Sequence, residues 1–176
     1  DQGCTHCFME VSSHAIDQNR IYGLHFEGGV FTNISHDHLD YHKTFSAYIK
    51  AKKQFFDGLP SASFALVNTD DKNGLIMLQN TNAKRHHYAL KTPADFKAKV
   101  MENALSGLIL NLDGAEFYSR LIGRFNAYNL LAVYAVAMLL DEDKIETLGV
   151  LSNLQSVEGR FQYLKAQNGP TTIVDY

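Results

Sequence analysis

Eight consecutive residues, Ser35-His36-Asp37-His38-Leu39-Asp40-Tyr41-His42, concentrate the imidazoles and carboxylates of this chain. Such groups on one loop are ligands for a divalent cation or proton-transfer groups. Two site chemistries compete. One is a zinc metallohydrolase using His36, His38, Asp40 and His42, resembling the H-x-H-x-D-H run of the metallo-β-lactamase superfamily, although Tyr41 separates Asp40 from His42 and breaks that spacing. The other needs one histidine of the cluster and a distant carboxylate such as Glu10 to hold Mg²⁺ against a nucleotide phosphate. Glu10 is expected in a short buried strand, Cys7-Phe8-Met9-Glu10-Val11, where a lone carboxylate costs several kcal/mol unless it is paired or metal-bound. Lys52 shares a helical stripe with Phe45, Tyr48, Ile49, Phe55 and Phe56, and is either a snorkelling surface lysine or an amine whose pKa burial has lowered. Cys4 and Cys7 have C-x-x-C spacing, but no second ligand pair and no thioredoxin-like context accompany them; small apolar residues leading into the strand are the simpler reading.

Those groups need elements to hold them. Ser12 and Ser13 are favoured N-caps for a helix running to about Asn19. Leu24 to Thr32 is a second strand candidate interrupted by Gly28-Gly29, and it delivers the chain into the histidine segment. Thr44 to Gly58 has helical composition, Ser63 to Val67 is a third β run ending in Asn68-Thr69-Asp70-Asp71, and Lys72 to Asn80 suits a helix. Strand, polar turn and helix recur three times, which predicts an α/β fold: a mostly parallel sheet flanked by helices, with its site at the carboxyl ends of the strands. Phe96 to Leu121 reads as an antiparallel hairpin insertion turning at Asp113-Gly114. An apolar helix over Asn126 to Leu140, a short helix over Lys144 to Leu151 and a strand from Thr171 complete the pattern.

At 176 residues the chain is one domain or one large piece of a longer protein, and both ends are expected to be cut: it opens at Asp1 and stops inside a β-type run at Tyr176. With 45% hydrophobic and 20% charged residues it can fill a core. A net charge of -3 argues against broad nucleic-acid binding, and no signal peptide or membrane span is visible.

Seven motifs in order resemble the central ATPase domain of the Mur ligases over nearly the whole chain. They are Met9-Glu10-Val11-Ser12-Ser13-His14 with Gln18 and Arg20; Thr32 through His42; Ala51-Lys52; Asn68-Thr69-Asp70-Asp71; Gly123 through Asn129; Gly159-Arg160; and Val174-Asp175-Tyr176. Within the family they are most like the ligases that add the third residue of the peptidoglycan stem peptide to UDP-N-acetylmuramoyl-L-alanyl-D-glutamate. The resemblance implies an ATP-dependent, amide-forming enzyme of the cytoplasm, expected to be a monomer, working through an acyl phosphate. It implies Mg²⁺ held by Glu10 and His38, a carbamylated Lys52, muramoyl-dipeptide contacts from Ser12, Gln18 and Arg20, and nucleotide contacts from Asn68, Asn126, Asn129, Arg160 and Asp175. The G-x-x-x-x-G-K-[ST] phosphate loop is not in the sequence; the family has it upstream of Glu10. The 176 residues, expected to lack the UDP-binding and C-terminal domains, are therefore expected not to turn over alone. The choice between meso-diaminopimelate and L-lysine belongs to that C-terminal domain, and diaminopimelate is expected only from Gram-negative usage. Folylpolyglutamate synthetase shares the reaction type, but Glu10 to His14 with Gln18 and Arg20 favours a muramoyl peptide.

Overall fold

A computed structural model describes residues 3–35, 39–157, 162–165 and 171–175, and the chain divides into two compact units, 1–86 and 87–176. In the first, residues 3–12 form a segment without regular structure, exposed through Glu10 and half-buried at Val11 and Ser12. α1 (Ser13–Asp17) follows, capped by the Ser12 hydroxyl, which accepts from the Ala15 N–H at 3.1 Å. β1 (Gly28–Phe31) leads to α2 (Leu39–His42), a single turn, and then to α3 (Phe45–Asp57), capped by Thr44. β2 (Phe64–Asn68) runs parallel to β1, with Gly28 opposite Phe64 and Phe31 opposite Val67. Every residue of β2 is buried, as expected of a strand covered on both faces. A core of Phe31, Phe56, Leu59, Ala65, Val67, Met77 and Leu78 joins the β1–β2 pair to α3 and to α4 (Gly74–Met77). Gly28 is glycine because a Cβ there would overlap the Phe64 ring opposite it.

β3 (Lys84–Ala89) straddles the boundary between the units; its Lys84 N–H donates to the Ser63 carbonyl at 2.9 Å. In the second unit, Tyr88 and Ala89 pair in parallel with the start of β4 (Phe96–Ala104), and β4, β5 (Gly107–Leu112) and β6 (Ala115–Ser119) form an antiparallel meander. The sheet is thus mixed, as expected, with the hairpin where the Asp-Gly turn put it. Asp113 (φ 47°) and Gly114 (φ 82°) are both left-handed, which a two-residue primed turn requires. Tyr134 of α5 (Arg124–Leu139) donates to the Asp113 carboxylate at 2.9 Å, and Lys144 of α6 (Lys144–Ser152) donates to its carbonyl at 3.1 Å. One turn residue therefore holds the hairpin to both helices. β7 (Gln162–Lys165) and β8 (Thr171–Val174) pair antiparallel. Among the described residues no helix is long and apolar enough to cross a membrane.

Three expectations need correction, and two strands are additional to those expected. The strand expected over Cys7 to Val11 is coil, exposed as far as Glu10, and no described strand pairs with it. Phe8 is 76% exposed and Cys4 and Cys7 are exposed free thiols, so neither lies in a buried strand. The helix expected over Lys72 to Asn80 shrinks to α4, because the Asp71 carboxylate accepts from the Asn73 N–H at 2.8 Å and makes a side-chain turn where the helix would have begun. β3 went unforeseen because Lys84-Arg85-His86-His87 masks its β character, and β7 was not foreseen either.

Gly107 has φ +143°, and a methyl there would overlap the Ser119 carbonyl on the facing strand. Gly107→Ala is expected to cost about 3 kcal/mol, whereas Gly114→Ala, strained only by its φ in open space, should cost about 1. Urea midpoints of the two variants check the order; equal losses would mean that the meander gives way at Gly107.

Candidate active site

The first unit holds a cavity of about 350 Å³ walled by the 7–11 segment, β1 with the residues after it, and α3. Glu10 enters it from the coil and Lys52 from α3. The helix register delivers the lysine: Tyr48 and Lys52 are one turn apart, and the Lys52 Nζ stands 5.5 Å from the centroid of the buried Tyr48 ring. Burial lowers the Lys52 pKa below the usual lysine value, and the Glu10 carboxylate opposes that shift by favouring the cation. The predicted stripe is thus real, and the lysine on it is partly buried. Glu10 itself is exposed, so its own desolvation cost, expected to demand a partner, is absent. What connects it to Lys52 is the shared cavity.

His36, Asp37 and His38 lie outside the described residues. Of the rest of that cluster, Asp40 is exposed and His42 is engaged: its Nε2 is 2.8 Å from the Ser13 Oγ, and its ring stacks on Tyr48 at 5.3 Å. No group of three or more His, Cys, Asp or Glu able to hold a metal ion occurs among the described residues.

On the opposite side of His42 stands α1. The Ser12 hydroxyl oxygen accepts the α1 cap bond from the Ala15 N–H, which leaves the hydroxyl able to donate as well. Gln18 donates to the Tyr41 hydroxyl at 3.3 Å, Tyr41 donates to Asp17 at 2.8 Å, and Arg20 is exposed in the turn after the helix. Asn68, at the end of β2, donates to the Thr32 carbonyl at 2.9 Å and accepts from the Asp70 N–H at 3.0 Å. It therefore ties the end of β1 to the turn after β2. Asp71 extends the tie, accepting from the Ile34 N–H at 3.1 Å just before the histidine segment. Neither Asp71 nor Tyr48 was given a site role from the sequence. The side-chain turn in Asp71-Lys72-Asn73 and the one-turn spacing of Tyr48 from Lys52 were the available signals.

The second unit has its own cavity, of about 550 Å³, and three of the predicted nucleotide residues meet there: Asn126, Asn129 and Asp175, beside Phe125, Leu154 and Val157. Gly123 precedes α5 with φ 90°, and Asn126 is fixed by donating to the Ile122 carbonyl at 2.8 Å. Asn129 donates to the Asn126 side-chain oxygen at 3.3 Å. Amides and a carboxylate over apolar walls suit a heterocycle with hydroxyl groups. Arg160 lies outside the described residues.

The family model for the Mur ligase middle domain matches residues 1–137. A UDP-N-acetylmuramoyl-L-alanyl-D-glutamate–2,6-diaminopimelate ligase from Cytophaga hutchinsonii is 60% identical over 99% of this chain and 36% of its own length. Its namesake from Parabacteroides distasonis is 57% identical over all of this chain and 36% of its own. The chain thus spans about a third of the length of the curated relatives it matches. A solved structure of a ligase of the same name superposes with a TM-score of 0.80 at 30% identity, covering 94% of this chain and 36% of the other. MurF from Acinetobacter baumannii, at 17% identity, shares the fold with a TM-score of 0.76 over 85% of this chain and 33% of its own.

Proposed function

Because the chain belongs to the Mur ligase family through that family's middle domain, we propose that it is the nucleotide- and metal-handling part of a cytoplasmic, ATP-dependent ligase. The enzyme joins meso-diaminopimelate to UDP-N-acetylmuramoyl-L-alanyl-D-glutamate in peptidoglycan synthesis. The substrate carboxylate takes a phosphoryl group from ATP, giving an acyl phosphate and ADP. The amine of diaminopimelate then attacks the acyl carbon, the C–O bond to phosphate breaks, and the amine loses a proton as the amide forms. Diaminopimelate, rather than lysine, is favoured by the names of the relatives.

The observation that carries the reading is the pairing of Glu10 and Lys52 in one cavity, with the lysine's pKa lowered. Glu10 offers the hard oxygen that Mg²⁺ requires. A lysine amine offers none, but its neutral form can add to CO₂: the N–C bond forms, a C=O π bond opens onto oxygen, and the nitrogen loses a proton, leaving a carbamate anion. Lowering the pKa raises the fraction of neutral amine at a given pH, which favours this step. Glu10, His38 and the Lys52 carbamate would hold or organise Mg²⁺, which, when bound, offsets the negative charge of the phosphates. Ser12, Gln18 and Arg20 are assigned to the muramoyl dipeptide, the last for its planar fork. Asn68, Asn126, Asn129, Arg160 and Asp175 are assigned to the nucleotide.

The zinc metallohydrolase reading has no comparable support, since His42, one of its four ligands, is bonded to Ser13 and stacked on Tyr48. The test is ADP release by the full-length enzyme. We expect ADP to form in step with amide when ATP, the muramoyl dipeptide and diaminopimelate are all present, and far more slowly with lysine in place of diaminopimelate. Hydrolysis without ATP, or a preference for lysine, would overturn the assignment.

A further inference from the structure

α2 is one helical turn, too short to hold itself together, yet its last two residues are bound on both sides. Tyr41 meets Asp17 and Gln18 at the end of α1. His42 reaches the start of the same helix, where Ser13, 1% exposed, stands next to the capping Ser12. Its ring also meets His14 of α1 at 5.5 Å and, on α3, lies within 18° of parallel to Tyr48, which is 4% exposed and has the Lys52 Nζ 5.5 Å from the centroid of the same ring.

We propose that His42 is a positioning residue for Lys52, acting through Tyr48, and that its bond to Ser13 couples the lysine to the helix assigned to the muramoyl dipeptide. The inference rests on the reading of Lys52 as a carbamate. Lysine has a flexible four-carbon stem, and holding its amine at one place in a cavity requires a surface that restricts its rotamers. The Tyr48 ring is that surface, and a ring is a defined surface only while its plane is fixed. The stacked imidazole fixes it. The stack on Tyr48 and the hydrogen bond to Ser13 therefore carry separable effects, the stack acting on Lys52 and the hydrogen bond acting on α1.

Two variants of the full-length ligase separate them. His42→Phe keeps a stacked ring and loses the bond to Ser13; His42→Gln keeps a polar nitrogen within reach of Ser13 and loses the stack. Carbamate occupancy is read as the ¹³C resonance that appears with ¹³C-bicarbonate, alongside kcat and KM for the muramoyl dipeptide over a range of bicarbonate concentrations. With the stack lost, His42→Gln should need about threefold to tenfold more bicarbonate for half-maximal occupancy and kcat. Its KM should be unchanged at saturating bicarbonate. His42→Phe should keep wild-type occupancy and raise KM about threefold or more, the loss of one neutral hydrogen bond. If the Gln variant does not fold, His42→Met, which loses both the ring and the bond to Ser13, should need the same excess of bicarbonate and also show the raised KM of His42→Phe. Equal occupancy in wild type and both variants, or equal loss in both variants, would overturn the inference and leave the carbamate reading standing. A wild-type enzyme with no carbamate resonance would overturn both.

Discussion

Lys52→Ala in the full-length ligase is expected to lower kcat by about a thousandfold, since losing a group that organises charge around the reacting phosphate costs several kcal/mol of transition-state stabilisation. Lys52→Arg should be nearly as poor. It restores the positive charge and the length, yet a guanidinium stays protonated and cannot take up CO₂. The two side-chain states have opposite charge, so small carboxylates discriminate between them: acetate or formate added to Lys52→Ala should recover part of the lost rate by supplying an anion in the vacated space. Rate measurements with and without the added acid decide the matter. An active Lys52→Arg enzyme would return the lysine to a packing role on the Tyr48 face.

The second large effect is expected in the histidine segment. His38→Ala should lower activity at least about a hundredfold, as removal of a metal ligand does, whereas His36→Ala should cost under about 1 kcal/mol. A titration with Mg²⁺ sharpens the comparison, because only the His38 variant should need more of the ion to reach its maximal rate. Equal losses at the two positions, with zinc retained on purification, would favour a dinuclear hydrolase.

Much of the scaffold could be read from side-chain period and punctuation. The helical composition of Thr44 to Gly58 and the stripe from Phe45 to Phe56 located α3, and with it Lys52, to within a residue at each end. Asp113-Gly114 located the hairpin because few residue pairs accept two left-handed conformations in succession. The failures have a common cause, which is that strands depend on partners distant in sequence. Cys7 to Val11 has strand composition and lies in coil; Lys84 to Ala89 has poor strand composition and lies in a sheet. The candidate site divides the same way. That Glu10 and Lys52 belong together came from resemblance to a family, and their shared cavity is a tertiary fact that spacing could not supply. The engagement of His42 with both Ser13 and Tyr48 depends on two elements meeting across α2, and its place in the sequence pointed instead to a metal.

The parallel pairing of β1 and β2 has a kinetic consequence. Parallel neighbours cannot be joined by a tight turn, so the chain between Thr32 and Ser63 is a crossover that must close before the first ladder bond forms. Both the histidine segment and Lys52 ride on that crossover. The burial that lowers the basicity of the lysine needs more than α3, because β1 and the residues after it wall the same cavity, so it is expected only once this long-range closure is made. During refolding the amine should behave as an ordinary lysine until the β1–β2 amides become protected from hydrogen exchange, and its capacity to take up CO₂ should appear in that same kinetic phase. On the proposed reading, a newly synthesised chain would then be unable to carbamylate Lys52 before this closure is complete.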